Sequence, residues 1–346
     1  MARLLRPAKV AHLTAGFNCL DVINRVVHFN TNESSIPPGR SVLTKPNAPK
    51  TTTEPPKDSV LTGLIGRGIA LSRTPAMHMA EARAQGINGV YRILDMDAPE
   101  RANTSLKELI EQAEILGYDG FNVTYPYKIE VIEHLDALSD NARSVGAVNT
   151  VVLKDGKRYG HNTDLWGFAE SFRRGLPDAK RDHALLIGAG GAGVAVAHAL
   201  ADCGVKLLTI TDIDPARAES LAAQVRANRQ DCTTRAVTDV AALVTEDRPD
   251  GIVNTTPMGM AKLPGTSFPV DLIDPEMWVA DIVYFPLETE LLRAARAKGC
   301  AVLPGSGMAV FQAVRAFELF TGLPASPERM KARFDAFDEA PQTQAS

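Results

Sequence analysis

Ala184-Leu185-Leu186-Ile187-Gly188-Ala189-Gly190-Gly191-Ala192-Gly193 is the stretch that decides the fold class. A short, wholly apolar run feeds straight into a glycine loop, and the residues that follow, to about Cys203, read as a helix. Glycines also collect in ordinary turns, so the strand-turn-helix context is what makes G-x-G-x-x-G informative. Gly188 permits the tight turn, Gly190 lets backbone amides approach a pyrophosphate, and Gly193 allows close packing of helix on strand. With Ala189, Gly191 and Ala192 they form a loop at a helix N-terminus, whose partial positive charge favours phosphate. A second apolar run, Lys206 to Thr211, ends at Asp212, 24 residues after Gly188. A carboxylate there accepts hydrogen bonds from both adenosine ribose hydroxyls and repels a 2′-phosphate. Ile213, Asp214 and Pro215 follow, and no cation comes before Arg217, so NAD is expected rather than NADP. A glycine-rich turn without a ligand is the plain alternative.

Working outward, the same alternation recurs. Upstream, Val60 to Ile65 is an apolar run ending in Gly66-Arg67-Gly68, and Thr74-Pro75 opens a helical stretch to about Gln85. Tyr91 to Asp95 reads as a strand, Leu106 to Leu116 as a helix stopped by Gly117, and Gly120 to Thr124 as a strand. Pro126 is placed to start a helix through Ile129, Ile132, Leu135 and Leu138. Downstream, Gly251 to Asn254, Val279 to Val283 and Ala301 to Leu303 are short strands. Strands alternating with helices predict right-handed βαβ connections and mostly parallel sheets. The expected architecture is α/β with two domains, an N-terminal α/β substrate domain and a Rossmann-type NAD-binding domain, flanking a cleft. The boundaries expected are residues 59–163 plus 305–337 for the substrate domain and 164–304 for the dinucleotide domain.

The two ends read differently. Residues 1–58 carry eight basic against four acidic residues in a chain of net charge −4, so the remaining 288 carry −8. From Asn30 to Lys57 the sequence is rich in Pro, Thr, Ser and Asn without apolar periodicity, so 1–58 is expected to be a disordered extension and 338–346 a disordered tail. Ala8 to Leu20 is broken by Lys9, His12 and Asn18 and makes no signal-peptide core. A start placed too far upstream is the expected origin of this extension, with an organelle address as the alternative.

Composition narrows the function. With a mildly acidic balance there is no general attraction for phosphate backbones, so nucleic acid is not an expected partner. The apolar runs have the length of buried strands, far below the roughly 20 residues of a membrane-spanning helix. Cys19, Cys203, Cys232 and Cys300 form no pair or Cys/His cluster with metal-ligand spacing, so reduced thiols, no metal and a cytoplasmic location are expected. No self-complementary apolar stripe stands out; a homodimer is one option.

The more distinctive segments lie outside the glycine loop: Leu71-Ser72-Arg73-Thr74-Pro75, Asn122-Val123-Thr124-Tyr125-Pro126-Tyr127-Lys128, Gly146-Ala147-Val148-Asn149-Thr150, Asn162-Thr163-Asp164, Asn254-Thr255-Thr256-Pro257-Met258-Gly259 and Gly305-Ser306-Gly307-Met308, which leads to Gln312. In that order, over about residues 60–337, the sequence resembles the shikimate/quinate dehydrogenase family. The resemblance implies hydride transfer between a nicotinamide and a ring alcohol of a polyhydroxylated carboxylate, with Lys128 and Asp164 as catalytic pair. It also implies that Ser72 and Thr74 bind the substrate carboxylate. Thr124, Asn122, Asn149 and Gln312 would contact ring hydroxyls or help hold the pocket, an inventory of hydroxyls and amides that suits such a substrate. Met258, Val283, Tyr284, Gly305 and Met308 are expected along the nicotinamide end, and Thr256 among the cofactor-binding residues.

Without the family, Ser72 and Asn149 read equally well as helix caps or turn residues, Tyr284 and the methionines as packing, and Lys128 as a solvated surface residue. If Pro126 starts a helix, Lys128 faces the positive end of its dipole. Within the family, Asp212 and Ile213 are similar to the NAD enzymes that oxidise quinate as well as shikimate. Thr74 departs from the serine typical of the NADPH-dependent biosynthetic enzymes, and its methyl reshapes the carboxylate end of the pocket. NADPH-dependent shikimate dehydrogenase and an enzyme for aminated analogues are the alternatives. An NAD-sensing regulator could keep the glycine loop, yet has no need of Lys128, Asp164 and Gln312 together.

Overall fold

Two six-stranded sheets carry the chain; the computed structural model describes residues 58–339, and the expectations for 1–57 and 340–346 lie outside the described residues. The first sheet is built around β1 (Ser59–Gly66), which is buried over most of its length as a central parallel strand must be. β2 (Asn88–Asp95) and β3 (Gly120–Val123) flank it in parallel register. Between them run α1 (Thr74–Ala84), which begins at Thr74-Pro75 as expected, and α2 (Leu106–Ile115), which is closed at its start by a capping box between Ser105 and Glu108.

After β3 the chain departs from expectation. No α-helix follows Pro126: residues 125–129 turn, Glu130–His134 makes a short 3-10 segment, and β4 (Ala137–Leu138) pairs with a sheet edge. The apolar spacing misleads because it is not one helical face. Ile129 is half exposed, whereas Tyr127 and Val131 are buried, and Asp136 N–H donates to the Arg158 carbonyl rather than back along a helix. Lys128 therefore sits in a turn, and the helix-dipole argument for it does not apply. α3 (Asp140–Val145) leads to a hairpin of β5 (Thr150–Lys154) and β6 (Lys157–His161). Asp155 and Gly156 turn it with φ of +53° and +69°, the Asp-Gly signature of a tight hairpin, which adds two strands to those expected. β5 runs antiparallel to β3, so the sheet is mixed, in the order β2-β1-β3-β5-β6-β4.

α4 (Thr163–Gly175) crosses to the second sheet. There β7 (His183–Ile187), α5 (Gly191–Asp202), β8 (Leu207–Thr211), α6 (Pro215–Asn228), β9 (Thr233–Ala236), α7 (Val240–Glu246), β10 (Gly251–Asn254), β11 (Trp278–Asp281), α8 (Glu290–Ala297) and β12 (Ala301–Leu303) follow. All strands are parallel in the order β12-β11-β10-β7-β8-β9. This is the doubly wound order, with its switch point between β7 and β10, where such sheets bind ligands. α9 (Ser306–Thr321) then returns to the first sheet and lies against α4 so closely that a Cβ on Gly167 would be 2.7 Å from the Gln312 nitrogen. α10 (Pro327–Glu339) runs two residues past the expected limit at 337. Its Phe334 and Met330 share a core with Met77 and Phe317, while Leu165, Phe168 and Phe172 of α4 bury themselves in the core of the second sheet.

Candidate active site

Lys128 and Asp164, 36 residues apart in sequence, meet: Nζ donates to Oδ2 at 2.6 Å. Lys128 is held by its turn, where Val148 N–H donates to its carbonyl at 2.8 Å. Asp164 lies in the first turn of α4, which Asn162 caps by accepting from Leu165 N–H at 3.0 Å, and the helix N-terminus favours a carboxylate there. Their side chains are 28% and 13% exposed, so the pair is neither fully solvated nor sealed off.

Behind the pair runs a buried polar chain. The Tyr91 hydroxyl donates to Asn122 Oδ1 at 2.8 Å, and Asn122 Nδ2 donates to Thr150 Oγ1 at 2.9 Å and to the Asn149 carbonyl at 3.3 Å. Asn149 in turn grips Thr163, the neighbour of Asp164, accepting from its N–H at 2.7 Å and donating to its hydroxyl at 3.0 Å. Burial pushes the Tyr91 hydroxyl well above its ordinary 10.0, which keeps it a donor. The Asn122 amide is thus spent inside the protein, in the supporting rather than the substrate-contacting part of its expected role. Tyr91, Thr150 and Thr163 were absent from the sequence-derived site. Only the position of the last two, beside Asn149 and Asp164, hinted at them.

The other expected substrate groups lie at the start of α1, after β3 and on α9. Ser72 and Thr74 are half-buried at the start of α1, where Ser72 Oγ accepts from Thr74 N–H at 3.3 Å and no side chain caps the helix. Thr124 follows β3, half-buried, with its N–H donating to Ile65. Gln312 is on α9, opposite Gly167, one helical turn along α4 from Asp164, and its Nε2 donates back to Ala309 at 3.0 Å.

At the switch point the glycine loop has the geometry of a phosphate cradle. Gly188 has φ of +102°, Gly190 precedes α5 without a side-chain cap, and a Cβ on Gly193 would be 2.1 Å from the Gly188 carbonyl oxygen. Gly191 and Ala192 open the helix with uncapped N–H groups. Asp212, just past β8, accepts from Ala189 N–H at 2.6 Å and from Asp214 N–H at 2.9 Å. A carboxylate has about four acceptor sites, so two are left for ribose hydroxyls. These residues fit a dinucleotide. Thr255 fastens the loop, its hydroxyl lying 2.9 Å from the Ile187 and 2.7 Å from the Gly188 carbonyl. It lies within a motif that the sequence displays, yet nothing local marks its role.

Of the residues expected at the nicotinamide end, Thr256 abuts this loop, Val283 abuts Gly305 at the start of α9, and Met308 lies where α9 packs on α4. A Cβ on Gly188 would touch Thr256, one on Gly305 would be 2.7 Å from the Val283 carbonyl oxygen, and one on Gly167 would be 2.9 Å from that of Met308. Tyr284 is half exposed and makes an edge contact with Phe334, its ring centroid 5.8 Å away. Among the described residues no helix is long and apolar enough to cross a membrane, and no group of His, Cys, Asp and Glu could hold a metal ion. Cys203, Cys232 and Cys300 are buried thiols.

Family models match the chain in sequence order. The shikimate dehydrogenase substrate binding domain covers residues 64–151, a ThiF family model 162–283, and the shikimate 5'-dehydrogenase C-terminal domain 305–333. A shikimate dehydrogenase (NADP(+)) of Streptomyces avermitilis is 50% identical over 277 residues, 80% of this chain and 95% of that protein. The chain belongs to the shikimate dehydrogenase family. Another member of that family, a quinate/shikimate dehydrogenase (NAD(+)) of Corynebacterium efficiens, is 48% identical over 283 residues, 80% of this chain and 98% of its own length. Among solved structures, the quinate dehydrogenase from Corynebacterium glutamicum in complex with NAD superposes with a TM-score of 0.78 at 47% identity, covering 81% of this chain and 100% of that one. The α/β fold with its substrate-binding and Rossmann-like halves is that of the shikimate dehydrogenase structures.

Proposed function

We propose that the chain is an NAD-dependent dehydrogenase that interconverts shikimate with 3-dehydroshikimate, and quinate with 3-dehydroquinate, in the cytoplasm. The observation that carries the reaction is the 2.6 Å contact between Lys128 Nζ and Asp164 Oδ2, which joins the turn after β3 to the start of α4. Residues 59–163 with 305–337 form the substrate half in this reading and 164–304 the cofactor half, closing over the substrate.

Ser72, Thr74 and the uncapped start of α1 take the substrate carboxylate, Thr124 and Gln312 meet ring hydroxyls, and Asn122 and Asn149 hold the pocket behind them. Bound NAD supplies the hydride acceptor at nicotinamide C4. Lys128 receives the proton of the reacting hydroxyl in the oxidative direction and returns it to the ketone oxygen in the reductive one, while Asp164 fixes the direction of its Nζ. Asp212 supports NAD over NADP, since a 2′-phosphate beside it would face a carboxylate with Ile213, not a cation, next in sequence. Lys128, Asp164 and the glycine loop all come from one chain, so the reading does not depend on a second subunit.

Saturation kinetics with shikimate and quinate, each with NAD and NADP, test it. Turnover of both substrates with NAD preferred is expected. Absence of turnover with every pairing would turn the chain into a binding protein, and a tenfold preference for NADPH over NADH would overturn the reading of Asp212. The NADP(+) in the name of the Streptomyces relative makes that second outcome the competing reading, a biosynthetic shikimate dehydrogenase.

A further inference from the structure

The carboxylate of Asp281, last residue of β11, is 2% exposed and has no basic partner in its hydrogen-bond shell among the described residues. It accepts three neutral donors instead. Asn254 Nδ2 at 2.9 Å and Val283 N–H at 3.0 Å reach Oδ1, and the Thr289 hydroxyl reaches Oδ2 at 2.7 Å. The donors come from three separate segments: the end of β10, the turn after β11 and the cap of α8.

Asn254 relays the hold onward. Its Nδ2 also donates to the Met258 carbonyl at 3.0 Å, and its Oδ1 accepts from Thr256 N–H at 3.0 Å and the Thr256 hydroxyl at 2.7 Å. Met258 N–H donates to Thr256 Oγ1 at 3.2 Å, so Asn254, Thr256 and Met258 are tied to one buried carboxyl group. Val283 is tied to it too, and the backbone of Val283 abuts Gly305 at the start of α9. Burying an unpaired carboxylate is costly, and burial does push Asp281 above the usual carboxylate range while its three donors pull it back. A core with no such need could replace the carboxylate and its three donors together by apolar groups at little cost. A site that needs three separate segments at fixed spacing gains from a two-oxygen acceptor.

We infer that Asp281 is a positioning residue that sets the Thr256–Met258 loop and Val283 around the nicotinamide half of the cofactor, with Thr289 and Asn254 as its partners. The inference rests on the reading of the chain as an NAD-dependent dehydrogenase. It predicts a split between the two halves of the dinucleotide, because the Asp281 and Asn254 side chains hydrogen-bond neither to the glycine loop nor to Asp212, and Thr255 fastens Gly188 by its own hydroxyl.

The test uses the full chain with NADH and with ADP-ribose, which has the adenosine and pyrophosphate but no nicotinamide. Losing a buried charged acceptor costs about tenfold or more in affinity. In Asp281→Ala the Kd for NADH should therefore rise about tenfold and kcat for shikimate fall by at least as much, with the Kd for ADP-ribose within about twofold of wild type. Asp281→Asn should recover part of both losses, since its oxygen can still serve Asn254 and Val283 while the Thr289 hydroxyl turns to accept. Thr289→Val removes one donor, should shift NADH affinity in the same direction, and carries the comparison if Asp281→Ala does not fold. Equal weakening of NADH and ADP-ribose, or unchanged NADH binding and kcat, would overturn the inference. Absence of turnover in the wild type would instead count against the dehydrogenase reading, and the comparison of the two ligands would still stand.

Discussion

Removing the Lys128 ammonium should disable the reaction while leaving the protein folded and able to bind substrate. Lys128 and Asp164 are 28% and 13% exposed, so their attraction is partly screened, and a partly exposed pair contributes on the order of 1 kcal/mol or less to stability. The unfolding midpoint of Lys128→Ala should move little. Its kcat is a different matter. A positioned proton carrier accounts for about 10²–10⁴ in rate, a rise of about 3–5 kcal/mol in barrier when it is lost. Asp164→Asn keeps the volume and one oxygen near 2.6 Å from Nζ but loses the charge that aligns it, so it should give a smaller loss, about 10–10². The two act as one unit and their effects should not multiply, leaving the double variant within about threefold of Lys128→Ala. Steady-state NADH absorbance at saturating NAD over a shikimate series yields kcat and KM together, and KM should change by less than about threefold, since the carboxylate and hydroxyl contacts are intact. Retention of more than a tenth of wild-type kcat in Lys128→Ala, or multiplicative losses in the double variant, would refute the pair.

Cofactor choice should follow Asp212 and the fully exposed Ile213 beside it: Asp212→Asn with Ile213→Arg should raise the NADP to NAD ratio of kcat/KM at least about tenfold, by removing a repulsive charge and adding a guanidinium for the 2′-phosphate. His78, packed among Tyr91, Phe317 and Phe320, is held down to about 3 by burial. The unfolded chain takes up a proton below 6.5 that the folded chain refuses, so stability should fall as pH drops from about 6.5 toward 3, and His78→Phe should flatten that limb in urea unfolding at pH 7 and pH 5. Glu81 is fully buried, and although burial raises its pKa, the bidentate Arg329, Ser326 N–H and Gln85 hold it below its ordinary 4.5. Its contribution is present above 4.5 and lost as pH falls through the lower folded value. Glu81→Gln should cost about 1–3 kcal/mol in unfolding free energy at pH 7, less than a fully desolvated pair because Arg329 is half exposed, with the gap closing at acid pH.

Legibility in the sequence varied with the range of the interaction that had to be read. The Ala184–Gly193 unit needs only a buried strand, a φ that glycine tolerates and a helix start, all settled within ten residues, and the structure has each where expected. The segment after Pro126 misled because the period of its apolar residues was read without its partner: β6 draws Ala137 and Leu138 into the sheet, and that competition is tertiary. The β5–β6 hairpin was legible through Asp155-Gly156 and went unread.

The candidate site divides in the same way. The glycine loop and Asp212 follow from local sterics, helix-end charge and the chemistry of a carboxylate at a strand end, and so were within reach of residues 184–212 alone. Lys128 lies in a turn after one sheet and Asp164 on the first turn of the helix that crosses to the other, and their 2.6 Å contact exists because α4 packs on both α5 and α9. The Asp281 network likewise draws Asn254, Val283 and Thr289 together from three strand and helix ends. Chain order carries turn, strand and helix because these depend on neighbours a few bonds away. Which ends meet is decided by the summed packing of many side chains, and only the folded protein holds that information as a distance.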